Sequence, residues 1–305
     1  MKRVLLFTAA VLAVIIIYCY ASWAGETKLT PIPPACPTCC EVTKPYTGIS
    51  ADDLMRLHYY VKYTKFAEDY SAVGHFKLID KKGYTRARIW KRYRIILGKD
   101  SKVLDYKDLV VMAAPENIKG LSVLSWTYQD PQRDQEVWLW LPSLRKIRRV
   151  SQSESDDSAF GSDYTTEEMS TRKWADETYQ MVGGKTFPGF YSKYNGKTYY
   201  KGQDCYVVEA RPKRKDWYYS KRISWLHKDF AGLIHDEVYD PEGRKFKVFL
   251  KWYETGNDKC IPQQYLLVEN TKTSHSTTID MVETHFNTGL KERFFTERTL
   301  MRSKW

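Results

Sequence analysis

The chain has 305 residues, 28% of them charged, and a formal net charge of +11. That length suits one large or two small domains, and a fold of this size can bury roughly 75% of its unfolded surface, so no disulfide scaffold is required. Aromatic residues make up 15% of the chain, with 23 Tyr and 10 Trp, and such a supply of rings favours strands over helices.

Lys2 and Arg3 precede an apolar run from Val4 to Tyr20, and Ala21-Ser22-Trp23-Ala24 then offers small residues where a signal peptidase reads. Residues 1–24 therefore have the layout of a secretory signal peptide, cleaved after Ala24. The rival reading is an uncleaved inner-membrane anchor, because the run approaches the roughly 20 residues that span a bilayer. Cys19 follows no lipobox-like pattern, and lipidation is not expected. No later run is long enough to span, so the rest of the chain is expected to be soluble and exported, to the periplasm. For a basic exported protein, anionic lipid head groups or acidic partners are the expected company, and nucleic acid the least expected. The bland alternative is a solvated basic surface.

Residues 25–49 read as a Pro- and Cys-rich linker containing Cys36, Cys39 and Cys40. Cys205 and Cys260 lie far along the chain in strand-like segments. The CxxC at Cys36 and Cys39 lacks the following His of a haem attachment site and the strand and helix that flank a redox motif. Three thiols without a nearby His also make a poor zinc site. Disulfides among Cys36, Cys39, Cys40, Cys205 and Cys260, local or between chains, come first, a metal second and redox catalysis last. An odd number leaves one thiol without a partner in its own chain.

Ser50-x-x-Asp53 resembles a capping box, and Leu54, Leu57, His58 and Val61 recur at helical spacing behind it. The period then changes to that of strands. Residues 72–79 and 84–96, joined by Asp80-Lys81-Lys82-Gly83, read as a hairpin. Further strands are expected at 108–113, 121–128 and 136–141. Pro142 then makes a turn into a basic cluster, and residues 151–195 are expected to be irregular, with a short helix from Thr165 to Trp174. Gly183-Gly184 reads as a turn. Strands resume at 204–211, 221–227, 233–239, 244–254, 264–270 and 277–286. Phe294, Phe295 and Leu300 end the chain as a docking segment. About ten strands joined by short turns argue for one large, strongly curved antiparallel sheet with helices on its concave side, a mainly β, α+β architecture.

The six histidines form no HExxH or metal-spaced pair, and there is no GxSxG, P-loop or GxGxxG. His235-Asp236-Glu237 is the densest titratable group and reads as structural. The segment from Trp126 to Asp163 holds more. On a strand, Trp138 and Trp140 share one face and Val137, Leu139 and Leu141 the other, so both faces are apolar. One face can pack in a core; the other needs a helix, a partner or a ligand. Arg145, Lys146, Arg148 and Arg149 follow, facing either a lipid phosphate or acidic partner, or Glu154, Asp156 and Asp157 just downstream.

Together, Trp140-Leu141-Pro142, the run Leu144 to Arg149, Gly161-Ser162-Asp163, Asn117 to Gly120 with Trp126-Thr127-Tyr128, Cys205 to Lys213 and Phe295 to Leu300 resemble outer-membrane lipoprotein-sorting proteins of the LolA-like class. The likeness covers residues 50–305. It implies a periplasmic half-barrel, an incomplete β-barrel with helices plugging its open face. It implies a non-enzymatic carrier, without metal or cofactor, that holds acyl chains of lipids or lipoproteins for transfer toward the outer membrane. The expected ligand-binding residues are Trp126, Tyr128, Trp138, Trp140, Leu141 and Phe160. Arg145, Lys146, Arg148 and Arg149 are expected at head groups or at a partner. The resemblance also implies a monomer that accompanies an inner-membrane RND-type transporter. The alternatives are an accessory subunit of such a transporter without cargo of its own and, last, a lipid or glycan hydrolase.

Overall fold

The computed structural model describes residues 45, 47–63, 67–98, 101–151, 154, 156–253 and 263–302. The expected signal segment, nearly all of the linker, and Cys36, Cys39, Cys40 and Cys260 lie outside the described residues. Among the described residues, no helix is long and apolar enough to cross a membrane.

Ser50 caps helix α1 (Ala51–Tyr63) as its spacing with Asp53 predicts. The Asp53 N–H donates to Ser50 Oγ at 3.1 Å, and that hydroxyl donates to the Asp53 carboxylate at 2.8 Å. The apolar face of α1 lays Leu54 and Met55 against Val208, Leu226 and Leu233 of the sheet. His58 is buried there, where burial drives its pKa well down, and its neutral Nδ1 accepts the Leu233 N–H at 3.2 Å.

The strands run β1 (Asp69–Ile79), β2 (Thr85–Ile96), β3 (Leu104–Ala114), β4 (Ser122–Tyr128), β5 (Glu136–Leu141), β6 (Lys146–Val150), β7 (Glu177–Thr186), β8 (Phe190–Ser192), β9 (Lys197–Tyr199), β10 (Asp204–Pro212), β11 (Lys221–His227), β12 (Leu233–Tyr239), β13 (Lys245–Tyr253), β14 (Gln263–Asn270) and β15 (His275–Phe286). Thirteen of them form one curved antiparallel sheet in the order β6-β5-β4-β3-β2-β1-β15-β14-β13-β12-β11-β10-β7, and β8 and β9 make a separate hairpin. Neighbours in sequence are mostly neighbours in space, as hairpin connections require. The end strands β6 and β7 do not pair, so the sheet stays open and is not a closed barrel.

Three local expectations are corrected. The basic cluster after Pro142 is itself strand β6, pairing Trp138 with Arg149 and Trp140 with Ile147. Residues 151–195 contain β7 and β8, and the expected helix shrinks to a π turn at Glu167–Thr171 and a 3-10 turn at Trp174–Asp176. Gly183 and Gly184 lie inside β7. Gly183 pairs with Val207 and Met181 with Val208, so Val182 is bulged out and Gly183 takes a φ of 140°.

Under α1 and these turns, the sheet buries ions rather than only rings. Arg222 of β11 holds Glu177 at 2.5 Å and also pairs with Asp236, which accepts the Ser224 hydroxyl at 2.8 Å. Burial alone would raise the Glu177 pKa, but the Arg222 charge outweighs it and holds the carboxyl at about 2. Asp108 of β3, gripped by Arg92 and by Arg94 at 2.6 Å, likewise ends at about 2 against its burial.

Removing Arg222 strands two buried carboxylates. Arg222→Ala is expected to lower stability by about 3–5 kcal/mol in urea unfolding. Both depressed carboxylates add stability above their unfolded pKa of about 4 and lose it as pH falls toward 2. The melting temperature of the wild type should therefore drop steeply from pH 5 to 2, and Glu177→Gln should be less stable at pH 7 but show a shallower acid slope.

Candidate functional site

Along β3 to β5 both faces of the sheet are apolar, and two different segments cover them. One face presents Leu109, Leu124, Trp126, Trp138, Trp140 and, from β6, Ile147. The C-terminal segment lies on it. Phe295 and Leu300 are fully buried there, the latter on the short helix α2 (Glu297–Leu300). The Trp126 indole N–H donates to the Phe295 carbonyl at 3.1 Å, and the Trp126 and Trp138 rings meet edge to face at 5.0 Å. Lys107 sits 3.9 Å over the Trp126 ring and reaches Glu292 at 2.8 Å, fastening the segment from its side.

The opposite face of the same strands presents Val110, Val123, Val137, Leu139, Leu141 and Val150. Over it lies the segment from Glu154 to Met169, including Ala159, Phe160 and Gly161, but contact is incomplete. A mainly apolar cavity of about 300 Å³ remains, within the range of small-molecule sites. Phe160 has a left-handed backbone (φ 55°), and its carbonyl accepts a hydrogen bond from the Arg88 guanidinium, which fixes the covering loop to β2. Asp163 fastens it to β15: its N–H donates to Thr277 Oγ1 at 3.0 Å, and Thr277 donates to its carboxylate at 2.8 Å. The Thr165 N–H donates to Glu168 Oε2 at 2.7 Å and the Glu168 N–H to Thr165 Oγ1 at 3.1 Å, a reciprocal cap on the π turn. Thr165-x-x-Glu168 was available in the sequence as the sign of this turn.

Two smaller cavities adjoin the apolar one through shared walls. Trp90, Arg92 and Met169 wall both it and a mixed cavity of about 80 Å³ beneath β1, β14 and β15. Trp90 lies flat on β1 because residue 74 is glycine: a Cβ there would fall 2.0 Å from the indole nitrogen. Lys62, Tyr164, Glu168 and Lys251 are shared in turn with a polar cavity of about 50 Å³ that also touches His58, Glu177, Arg222 and Asp236.

Of the residues expected at a ligand, Leu141 and Phe160 line the apolar cavity. Trp126, Trp138 and Trp140 lie on the other face, under the C-terminal segment. Buried Tyr128 stacks under Arg133, 3.4 Å from its ring centroid. Of the basic residues, Arg148 lines the cavity rim and pairs with Glu154, while Arg149 reaches Glu136 at 3.3 Å. Arg145 and Lys146 are exposed and make no ion pair among the described residues. Cys205 is a buried free thiol, pushed up to about 12 by burial. Among the described residues, no group of three His, Cys, Asp or Glu side chains is placed to hold a metal ion.

The cavity residues missed from sequence, Val123, Val137, Leu139 and Val150, carried a signal in their alternation with the tryptophans. Alternation separates two faces without saying which one is inside.

The open, plugged sheet recurs in solved structures. A candidate outer membrane lipoprotein-sorting protein domain from Vibrio parahaemolyticus superposes with a TM-score of 0.70 at 21% identity, covering 83% of this chain and 98% of that one. A DUF1329 family protein from Desulfovibrio piger gives 0.69 at 24% identity, covering 82% and 97%. A LolA superfamily protein from Nitrosomonas europaea gives 0.59 at 13% identity, covering 83% and 100%. The protein thus has the LolA-like fold. A family model described as an uncharacterized protein matches residues 105–302, and the chain belongs to that family. A search of curated proteins finds no match.

Two substitutions separate the faces. Leu139→Trp fills the cavity and should abolish uptake of the neutral dye N-phenyl-1-naphthylamine, whereas Trp140→Ala should leave uptake intact. Phe295→Ala should cost about 3–5 kcal/mol in urea unfolding and shift tryptophan emission to the red as water reaches Trp126 and Trp138.

Proposed function

We propose that this protein is a periplasmic carrier that holds acyl chains of lipids or lipoproteins in the cavity between β3–β6 and the covering segment. The observation that carries the reading is the unfilled apolar volume of about 300 Å³, walled by aliphatic side chains on one side and by a hydrogen-bonded loop on the other. Each methylene moved there from water contributes about 0.8 kcal/mol, and an alkyl chain needs no directional partner. The loop is fastened at Arg88 and Thr277 by a few hydrogen bonds, each of net value about 0.5–1.5 kcal/mol, so its displacement during loading is energetically accessible. The likeness to a candidate lipoprotein-sorting domain supports the same reading through the shared fold. Transfer toward the outer membrane, and a monomeric working form, belong to this proposal.

Native mass spectrometry of protein purified from periplasm is expected to show one lipid-sized adduct that Leu139→Trp lacks. A chain that is always empty, and that moves no lipid between vesicles, would overturn the reading.

A second reading concerns the edge. Strand β6 is an unpaired end of the sheet, with exposed Arg145 and Lys146 beside it, a surface suited to an acidic partner such as a periplasmic face of an RND-type transporter. Arg145→Glu should weaken crosslinking to membranes without changing lipid load; an unchanged crosslinking pattern removes this surface from consideration.

A further inference from the structure

Lys251 of β13 lines both the mixed and the polar cavity and makes no hydrogen bond or ion pair among the described residues. The anions around it are engaged elsewhere. Glu168 takes Lys247 at 3.0 Å and the Tyr218 hydroxyl at 3.1 Å, and Asp236 takes Arg222 and Ser224. Lys62 lines the same two cavities, where burial drives its pKa well down. Tyr164, 2% exposed, also lines both, and its hydroxyl is buried without a partner. Burial holds the Tyr164 hydroxyl neutral, so it is a donor at neutral pH, and burial lowers the Lys251 ammonium to about 8, still mostly charged at pH 7. A buried donor without an acceptor is costly, and the Tyr164 hydroxyl is one, on the wall it shares with the half-buried and unpaired Lys251, so an acceptor placed between them would satisfy both.

We propose that Lys251 and Tyr164 form a receiving site for the anionic head, carboxylate or phosphate, of the lipid whose chain occupies the apolar cavity. This rests on the carrier reading and names the class of cargo. Neighbouring cavities share walls, Trp90 and Met169 between the first two and Tyr164 and Lys251 between the last two, so the aliphatic lining at β3–β6 and the cationic lining at β13 lie in adjoining spaces. The volumes agree, with about 300 Å³ for the chain end and about 80 and 50 Å³ at the donor end, room for a head of a few heavy atoms or water-sized groups. Glu168 stands in the same wall, and its charge is met by Lys247, so it does not neutralise Lys251.

The test is displacement of N-phenyl-1-naphthylamine by palmitate, hexadecyl phosphate and hexadecanol from the full chain at pH 7. The wild type should bind one of the two anionic amphiphiles at least about tenfold more tightly than the alcohol, the tighter one identifying the head. Lys251→Met should lose about that factor for the anion and keep the alcohol unchanged, Tyr164→Phe should lose part of it, and Lys251→Arg should restore it. Equal binding of anion and alcohol by the wild type, or an unchanged anion affinity in Lys251→Met, overturns the head-group site and leaves the carrier reading standing. Loss of anion and alcohol together in Lys251→Met also overturns it, since the lysine would then act only through the fold. A wild type that binds none of the three overturns both readings.

Discussion

A β-strand that is apolar on both faces cannot meet water on either, and β5 is such a strand, next to the edge of an open sheet. Leaving a face of Trp126, Trp138 and Trp140 wet would forfeit several kcal/mol at roughly 25 cal/mol per Å². The C-terminal segment packs onto that face through a fully buried Phe295 and Leu300, burying Trp138 and leaving Trp126 and Trp140 partly exposed. The other face, of Val137, Leu139 and Leu141, is covered by a loop that stands off it and leaves a cavity. The asymmetry between a tight cover and a loose one leaves an unfilled apolar volume on one side only, the volume to which the proposed cargo is assigned.

The sheet also buries ions. A sheet of thirteen strands that does not close needs its inner face occupied, and α1 with the turns from Asp157 to Asp176 occupies it with polar as well as apolar groups. Arg222, Arg94 and Lys247 each meet their carboxylates at 2.5 to 3.0 Å, so the inner surface is pinned by short directional contacts. Replacing such pairs with aliphatic packing is often neutral or better for stability. Here the Lys247–Glu168 pair fastens the plug to the sheet, while the Arg94 and Arg222 pairs tie strands of the sheet to one another.

The hairpins were legible in the sequence because alternation is strict where one face is buried: residues 72–96, 204–239 and 264–286 read directly as strands. The docking of Phe294, Phe295 and Leu300 was legible for the same reason, an apolar cluster with no strand period of its own. Strand β6 was hidden because an edge strand in water can carry Lys146, Arg148 and Arg149 without cost, so its residues look like a charged loop. Strand β7 was hidden by the Gly183-Gly184 bulge. The inside and outside of β5 were beyond reach, since only the distant C-terminal segment decides which face is covered. The ions share that difficulty: Glu177 and Arg222 stand 45 positions apart, and only the sheet order brings them together. Lys251 left a faint trace, a lysine in phase with Phe249 on a strand whose neighbours are rings.

The proposed place of the cargo is the aliphatic face of β5, away from the tryptophans. The most direct measurement is photo-crosslinking with a palmitate analogue carrying a diazirine near its methyl end, followed by residue-level mapping of the adducts. The account predicts adducts on Val123, Leu139, Leu141 and Phe160. Adducts concentrated on Trp126, Trp138, Trp140 or Phe295, or scattered over the surface, would contradict it.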